Sequence, residues 1–346
     1  MSVFPGLSGS YLPNFKASGE LQIAFTRNPS AFALNRYAQI RPTDKTVGMY
    51  VEIDTAEASR FIASGEECAW PDGSDRPKGR SEMLTWKEFR SQRFDYPWEL
   101  GDETREQADF DIGASHLAIH AHKAMTARTA RAAAILSVAG SYPSGHSGTA
   151  TAVGGGLWKT STAANAYIKK SFNAAAQQIL LATNGVVQAK DLICVVDPVG
   201  ARTITESPEY SQYLINNPEA VRAAQYDDQF NLFGGLLPRL FGFTMVVEQT
   251  PITTTVEGHA TPVKRFLYSS IPTSNAVACF LSRPGGLVGA ANVPSFASLS
   301  LFMKEDCNVE QMDDRKNRRV EGHVVDHNVP KMTAGAASYL VTNIDA

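Results

Sequence analysis

His116 and His120 stand one helical turn apart, close enough for both imidazoles to reach a single metal ion. The residue after His116 is Leu117, so the glutamate base of an H-E-x-x-H zinc site is missing. His122 lies about 200° round a helix from His120 and cannot join the pair, and all three histidines are expected to be structural. Gly145-His146-Ser147-Gly148 sets a serine beside a histidine, as a hydrolase nucleophile would. It lacks the second glycine of a G-x-S-x-G elbow and sits in a Gly/Ser-rich link. Gly154-Gly155-Gly156-Leu157-Trp158-Lys159-Thr160 offers glycines, a lysine and a threonine without the adjacent Gly-Lys of a phosphate loop. No strand precedes it, which also excludes a dinucleotide fingerprint. The doublets Glu66-Glu67, Asp227-Asp228 and Asp313-Asp314 read as solvated loops. The stretch from Asp313 to Arg319 mixes signs densely enough for ion pairing, within the chain or between copies. These residues name no catalytic group, no cofactor and no metal, and the chain is not expected to be an enzyme.

Composition narrows the classes further. The chain has 346 residues, 43% hydrophobic and 19% charged, with a net charge of −3. That balance fits a folded chain with a large core and lacks the basic face of a nucleic-acid reader. Cys68, Cys194, Cys279 and Cys307 form no C-x-x-C pair, as expected of unpaired thiols in a reducing compartment. No secretion signal or membrane-length apolar run is evident, so folding in cytosol-like conditions and no membrane partner are expected.

The positioning elements have an unusual order. Residues 1 to 40 lack sustained periodicity and read as an extended arm with one short helix. Phe4, Leu7, Tyr11, Leu12, Phe15, Phe25 and Phe32 make it more apolar than a solvated tail, so it should pack along a neighbouring element. A hairpin follows. It leaves through Val47 to Asp54, turns in a polar tip from Cys68 to Arg80, and returns through Trp86, Phe89, Phe94, Tyr96 and Trp98. An isolated hairpin is marginal in water, and this tip is too rich in Pro, Gly and charge to bury itself, so another copy should support it. From Glu103 to Ser137 the pattern is helical, with acids early and Lys123, Arg128 and Arg131 late, matching the macrodipole. Its alanine-rich faces suggest a strut lying across a surface, with Gly113 marking a kink or an irregular start.

Ser141 to Gly156 reads as a flexible link. Ala164, Ile168, Phe172, Ala175, Ile179 and Ala182 then mark an amphipathic helix, with Thr162 to cap its start and Gly185 its end. Leu192 to Val196 reads as a buried strand ended by Asp197-Pro198, giving an α+β core unit. Short helices are expected over 207–241, broken by Pro208, Pro218 and Gly234-Gly235. Strands are expected at 243–248, 263–269, 276–281, 295–303, 319–326 and 337–343.

This order of parts resembles the major capsid proteins of tailed bacteriophages, whose Hong Kong 97-like fold encapsulins share. The likeness is carried by Asp102 to Ser137, by Asn173 to Gly185 with the strand Asp191 to Val196, by Phe233 to Val247, and by Val320 to Leu340. The resemblance implies an N-terminal arm (1–40), an E-loop (41–102), a spine helix and P-domain (103–206), an A-domain (207–305) and C-terminal strands returning to the P- or A-domain (306–346). It also implies pentamers and hexamers closing into an icosahedral head around double-stranded DNA, held by non-specific proximity. Scaffolding, portal and decoration proteins would be partners, and the virion, assembled in host cytoplasm, the location. Trp70, Trp86, Phe89, Tyr96 and Trp98 are the candidate inter-subunit contacts, the other reading being packing within one subunit. Lys78 and Lys87 lie where some family members crosslink to a neighbour's asparagine; nothing identifies a partner or an acid, and no crosslink is expected. The competing functions are an encapsulin-like compartment around a cargo enzyme and a serine hydrolase using Ser147.

Overall fold

Leu192–Val196 is a run of five buried residues, and such a strand needs apolar cover on both faces. The computed structural model describes residues 32–53, 70–75, 84–107, 111–219, 235–253, 264–268, 276–284, 297–314 and 316–345. In chain order these form α1 (Leu34–Tyr37), β1 (Ala38–Pro42), β2 (Val47–Ile53), β3 (Leu84–Arg90), β4 (Gln92–Gly101), α2 (Asp102–Glu106) and α3 (Ile112–Leu136). Next come β5 (Ser147–Thr149), α4 (Ala150–Gly154), α5 (Tyr167–Ala182), β6 (Leu192–Val196), α6 (Pro198–Thr205), α7 (Pro208–Asn216), β7 (Arg239–Leu240) and β8 (Phe243–Val247). The last elements are β9 (Pro251–Thr253), β10 (Lys264–Phe266), β11 (Ala278–Ser282), β12 (Leu299–Asp314), β13 (Arg319–Met332) and β14 (Ser338–Thr342).

Six strands in the order β5-β14-β11-β6-β8-β7 form the first sheet. Side chains alternate across β6, so Leu192, Cys194 and Val196 pack with α5 while Ile193 and Val195 join Tyr37, Leu136 and Leu301 on the other face. On α5 the buried residues are Ile168, Phe172, Ala175 and Ile179, the stripe set by helical spacing. Phe172 meets Phe280 at 4.9 Å, Phe243 at 5.1 Å and Phe241 at 5.6 Å between ring centroids, all edge to face.

The second sheet has the order β1-β12-β13-β4. β12 and β13 make a hairpin of 16 and 14 residues, and α3 packs on β13 and β4. β2 and β3 form a separate two-stranded ribbon.

Several expectations change. α3 begins at Ile112, where the Asp111 carboxylate accepts the Ala114 N–H at 3.0 Å, and the short α2 precedes it. It is not a surface strut along its whole length. Ala124, Arg128, Thr129, Ala132, Ala133 and Leu136 are buried, because alanine lets the backbone approach the strands closely. Ser141 to Gly156 is an ordered stretch holding β5 and α4. Leu340 donates its N–H to the His146 carbonyl at 2.9 Å, and a side chain at Gly154 would meet the Tyr167 carbonyl at 2.6 Å.

The Thr162 hydroxyl accepts the Asn165 N–H at 3.2 Å, a turn ahead of α5. The helix itself is capped by Glu209 of α7, which accepts the Ile168 and Lys169 N–H groups at 3.0 Å each. Gly185, at φ +76°, closes its far end as expected.

β12 and β13 outrun the expected strands, and two of the four expected divisions fall inside continuous structure. β6 and β8 are paired across the 206/207 division, and β12 crosses the 305/306 division as one strand. Residues 1–31, Cys68, Lys78, the acidic doublets at 66–67 and 227–228, and Gly234 lie outside the described residues.

Candidate functional site

Alternation along β2 divides the ribbon into two faces. Register runs from Val47 opposite Arg90 to Ile53 opposite Leu84. On one face Phe89, 4% exposed, lies across Gly48 and stacks on Phe302 of β12 at 4.1 Å, with Tyr50 at 5.6 Å from the same ring. A Cβ at Gly48 would sit 2.6 Å from the Phe89 ring, so glycine is required there. This pins the ribbon's root to the second sheet. The opposite face carries Val47, Met49 and Val51 with Trp86, and Met49 is 67% and Trp86 63% exposed. Lys87 pairs with Glu52 on the ribbon itself.

The other aromatics fall into different places. Trp70 is 60% exposed, and its Nε1 donates to the Ser74 carbonyl at 2.8 Å within its own turn. Tyr96 is half-buried on β4. Trp98 is 7% exposed, lies over Gly322 and stacks on His116 at 5.7 Å. Phe89 and Trp98 are thus engaged within their own chain, while Trp86 presents its ring outward.

None of the residues with chemical potential assembles a reaction centre among the described residues. The rings of His116 and His120 lie 6.4 Å apart. Burial, and then the charge of Lys123, pushes both below the ordinary histidine pKa. His146 is buried, and its Nδ1 donates to the Ser338 carbonyl at 2.8 Å, while Ser147 belongs to β5.

One cluster was not foreseen. Asp306, Cys307 and Asp326 bring their ligand atoms within 4.8 Å of one another, but the Arg128 guanidinium already supplies the positive charge. Its Nη2 donates to Asp326 Oδ1 at 2.6 Å and to Asp306 Oδ1 at 2.7 Å. Arg131 reaches Asp326 at 3.1 Å and Asn328 at 3.1 Å. Burial pushes the Arg128 guanidinium down, and the hydrogen bonds and charge of Asp326, with Asp306, more than reverse it. Burial also pushes the Cys307 thiol up to about 11, keeping it protonated. The partners are 198 residues apart in the chain, so no local pattern could reveal them.

The mixed-sign stretch also resolves. Arg319 bonds Glu99 at 2.9 Å and Asp314 at 3.3 Å, and pairs with Glu321. These are pairings within one chain.

No protein-family model and no curated protein matches this sequence. Solved structures do. A phage-related protein from Bordetella bronchiseptica is similar with a TM-score of 0.61 at 14% identity, over 95% of this chain and 97% of that one. The capsid of cyanophage P-SCSP1u gives 0.55 at 10% identity, over 99% and 92%. The mature capsid of bacteriophage PhiM1 gives 0.50 at 11% identity, over 93% and 89%. The likeness is one of fold, and the α+β fold is the Hong Kong 97-like capsid fold.

Proposed function

We propose that this chain is the major capsid protein of a tailed bacteriophage. Copies join as pentamers and hexamers and close into an icosahedral head around double-stranded DNA. The observation that carries this reading is the β2–β3 ribbon, rooted on Phe302 yet turning Met49 and Trp86 outward. Such side chains each gain about 1.5–3 kcal/mol on full burial, and a neighbouring copy supplies the cover. Repeated over a shell, that gain resists the pressure of confined DNA.

In this reading the ribbon serves as the E-loop and α3 as the spine helix. Because β6 pairs with β8 and β12 runs unbroken through the 305/306 division, we redraw the expected bounds by sheet. The four-stranded sheet with α3 is the P-domain, and the six-stranded sheet, including the α5 and β6 first placed in the P-domain, is the A-domain. Trp70 and Trp86 are the inter-subunit anchors, and half-buried Tyr96 of β4 is a further contact. Scaffolding, portal and decoration proteins are the further partners, assembly takes place in the host cytoplasm, and the finished location is the virion. The role is structural, and among the described residues no helix is long and apolar enough to cross a membrane.

Negative-stain microscopy of purified protein, with and without a scaffolding protein, tests this directly. Closed shells are expected; a chain that stays monomeric in every condition defeats the proposal. Shells whose contents by mass spectrometry are a cargo enzyme in place of phage DNA assign it to an encapsulin-like compartment.

A further inference from the structure

We propose that Asn184, at the end of α5, is a site of self-modification at which the side-chain amide is exchanged for a carboxylate and the backbone is rerouted as isoaspartate. Asn184-Gly185 is the sole Asn-Gly pair in the chain, and the fold calls for it. The chain leaves α5 through two successive left-handed residues, Asn184 at φ +52° and Gly185 at φ +76°. Glycine, and after it asparagine, occupies that region at least cost. The conformation that closes the helix thus selects a labile pair, because glycine places no side chain around its own nitrogen.

The reaction needs water alone. The Gly185 nitrogen gives up its proton and attacks the carbonyl carbon of the Asn184 side chain. The new C–N bond closes a succinimide ring, and the side-chain nitrogen leaves as ammonia. Water then adds to one of the two ring carbonyls. Opening on one side gives aspartate in a normal backbone; opening on the other runs the chain through the side-chain carbons as isoaspartate. Both residues are exposed, and no atom lies within 4 Å of where a Cβ on Gly185 would stand, so water reaches the ring.

The same cap is the brake. Gly185 donates its N–H to the Leu180 carbonyl at 2.8 Å, which engages the attacking nitrogen. Asn184 and Val186 donate theirs to the Leu181 and Thr183 carbonyls at 3.3 and 3.0 Å. Thr183 ties the turn back to the helix. Its buried hydroxyl donates to the Ile179 carbonyl at 2.7 Å and accepts the Val187 N–H at 3.3 Å. Modification therefore proceeds from the opened cap, and helix ends open at low free energy. The isoaspartyl link adds a carbon to the backbone and a negative charge where the α5 macrodipole is already negative. The original cap cannot then re-form, and a transient opening becomes a permanent one.

The test incubates full-length wild type, folded and guanidinium-unfolded, and folded Thr183→Ala in mildly alkaline buffer. Mass spectrometry of the tryptic peptide Ser171–Lys190 locates the converted residue, and an isoaspartyl methyltransferase assay counts the isoaspartate. Asn173, in the same peptide but followed by alanine, is the internal reference. Conversion is expected at Asn184, fastest in the unfolded chain and about 10–100-fold slower in folded wild type, with Thr183→Ala between them. Conversion at Asn173 in place of Asn184, or none in either folded protein, overturns the site. Equal rates for folded and unfolded wild type, or a folded Thr183→Ala no faster than wild type, overturn the control by the cap. If the melting curve shows that Thr183→Ala does not fold, wild type in guanidinium below its unfolding midpoint takes its place. The rate should rise there, and a flat rate overturns the control by the cap in the same way.

Discussion

Around Phe172, interlocking rings and aliphatic side chains fill the space between α5 and the six-stranded sheet. Beneath α3 the corresponding space holds Arg128, Arg131, Asp306, Asp326 and Asn328. The first interface is cohesive and indifferent to small rotations. The second is directional, since a guanidinium held by two carboxylates admits one register. It is also less completely satisfied. Trp98 Nε1, His120 Nδ1, Thr126 Oγ1, Arg131 Nε and Glu305 Oε2 are buried there without a hydrogen-bond partner. Each such atom costs about 1–3 kcal/mol. The helix–sheet seam is thus the part of the subunit best suited to shift, and the aromatic core the part that stays put.

The sharpest way to break this contrast is Asp326→Ala, which strands two arginines at the seam. A loss of about 3–5 kcal/mol in denaturant unfolding is expected, and Arg128→Met with Asp326→Leu should recover most of it. If the double replacement is as unstable as the single, the seam is not held by charge pairing. Phe172→Ala should cost about 3–5 kcal/mol through the cavity it leaves, and no second substitution nearby should restore it. Glu209→Ala, which uncaps α5, should cost about 2 kcal/mol in the same assay.

Acid offers a subtler comparison. His116 and His120 have folded-state pKa values below their ordinary value of 6.5, so below that pH the unfolded chain binds protons that the folded chain refuses. Stability then falls as pH drops from about 6.5. Protection factors from hydrogen exchange should fall at pH 5 in the N-terminal half of α3 while those of β6 and β11 hold. The smallest effect on the subunit is expected from Trp86→Ser, within about 0.5 kcal/mol of wild type; its consequence should appear in shell yield alone.

The two regions also differ in how far the sequence discloses them. Ile168, Phe172, Ala175 and Ile179 announce α5 because core contact repeats with the helical turn, and Leu192–Val196 announces β6 because every residue is apolar. The seam has no such rhythm. Arg128 looks like a charge complementing the helix dipole until Asp326 is seen beneath it. Lys304, Glu305 and Asp306 read as the end of a strand, yet β12 continues through them by way of a bulge, with Cys307 at φ +47°. β5 is three residues long, too short for any period to show. Among the candidate contacts, residue type picks out large aromatics but does not say whether the same chain or another copy covers them. Gly48 and Gly322 decide that for Phe89 and Trp98, by leaving room for a ring in the same chain.

β12 begins among the apolar residues packed against the six-stranded sheet and ends at the charged turn, 16 residues later. At about 3.3 Å per residue it is a continuous rod roughly 50 Å long. Its pivot is the irregular pairing between Met303 and Asn308, where Asp306 grips Arg128. A load borne by the turn therefore runs along β12 to Asp306 and through Arg128 into the second half of α3.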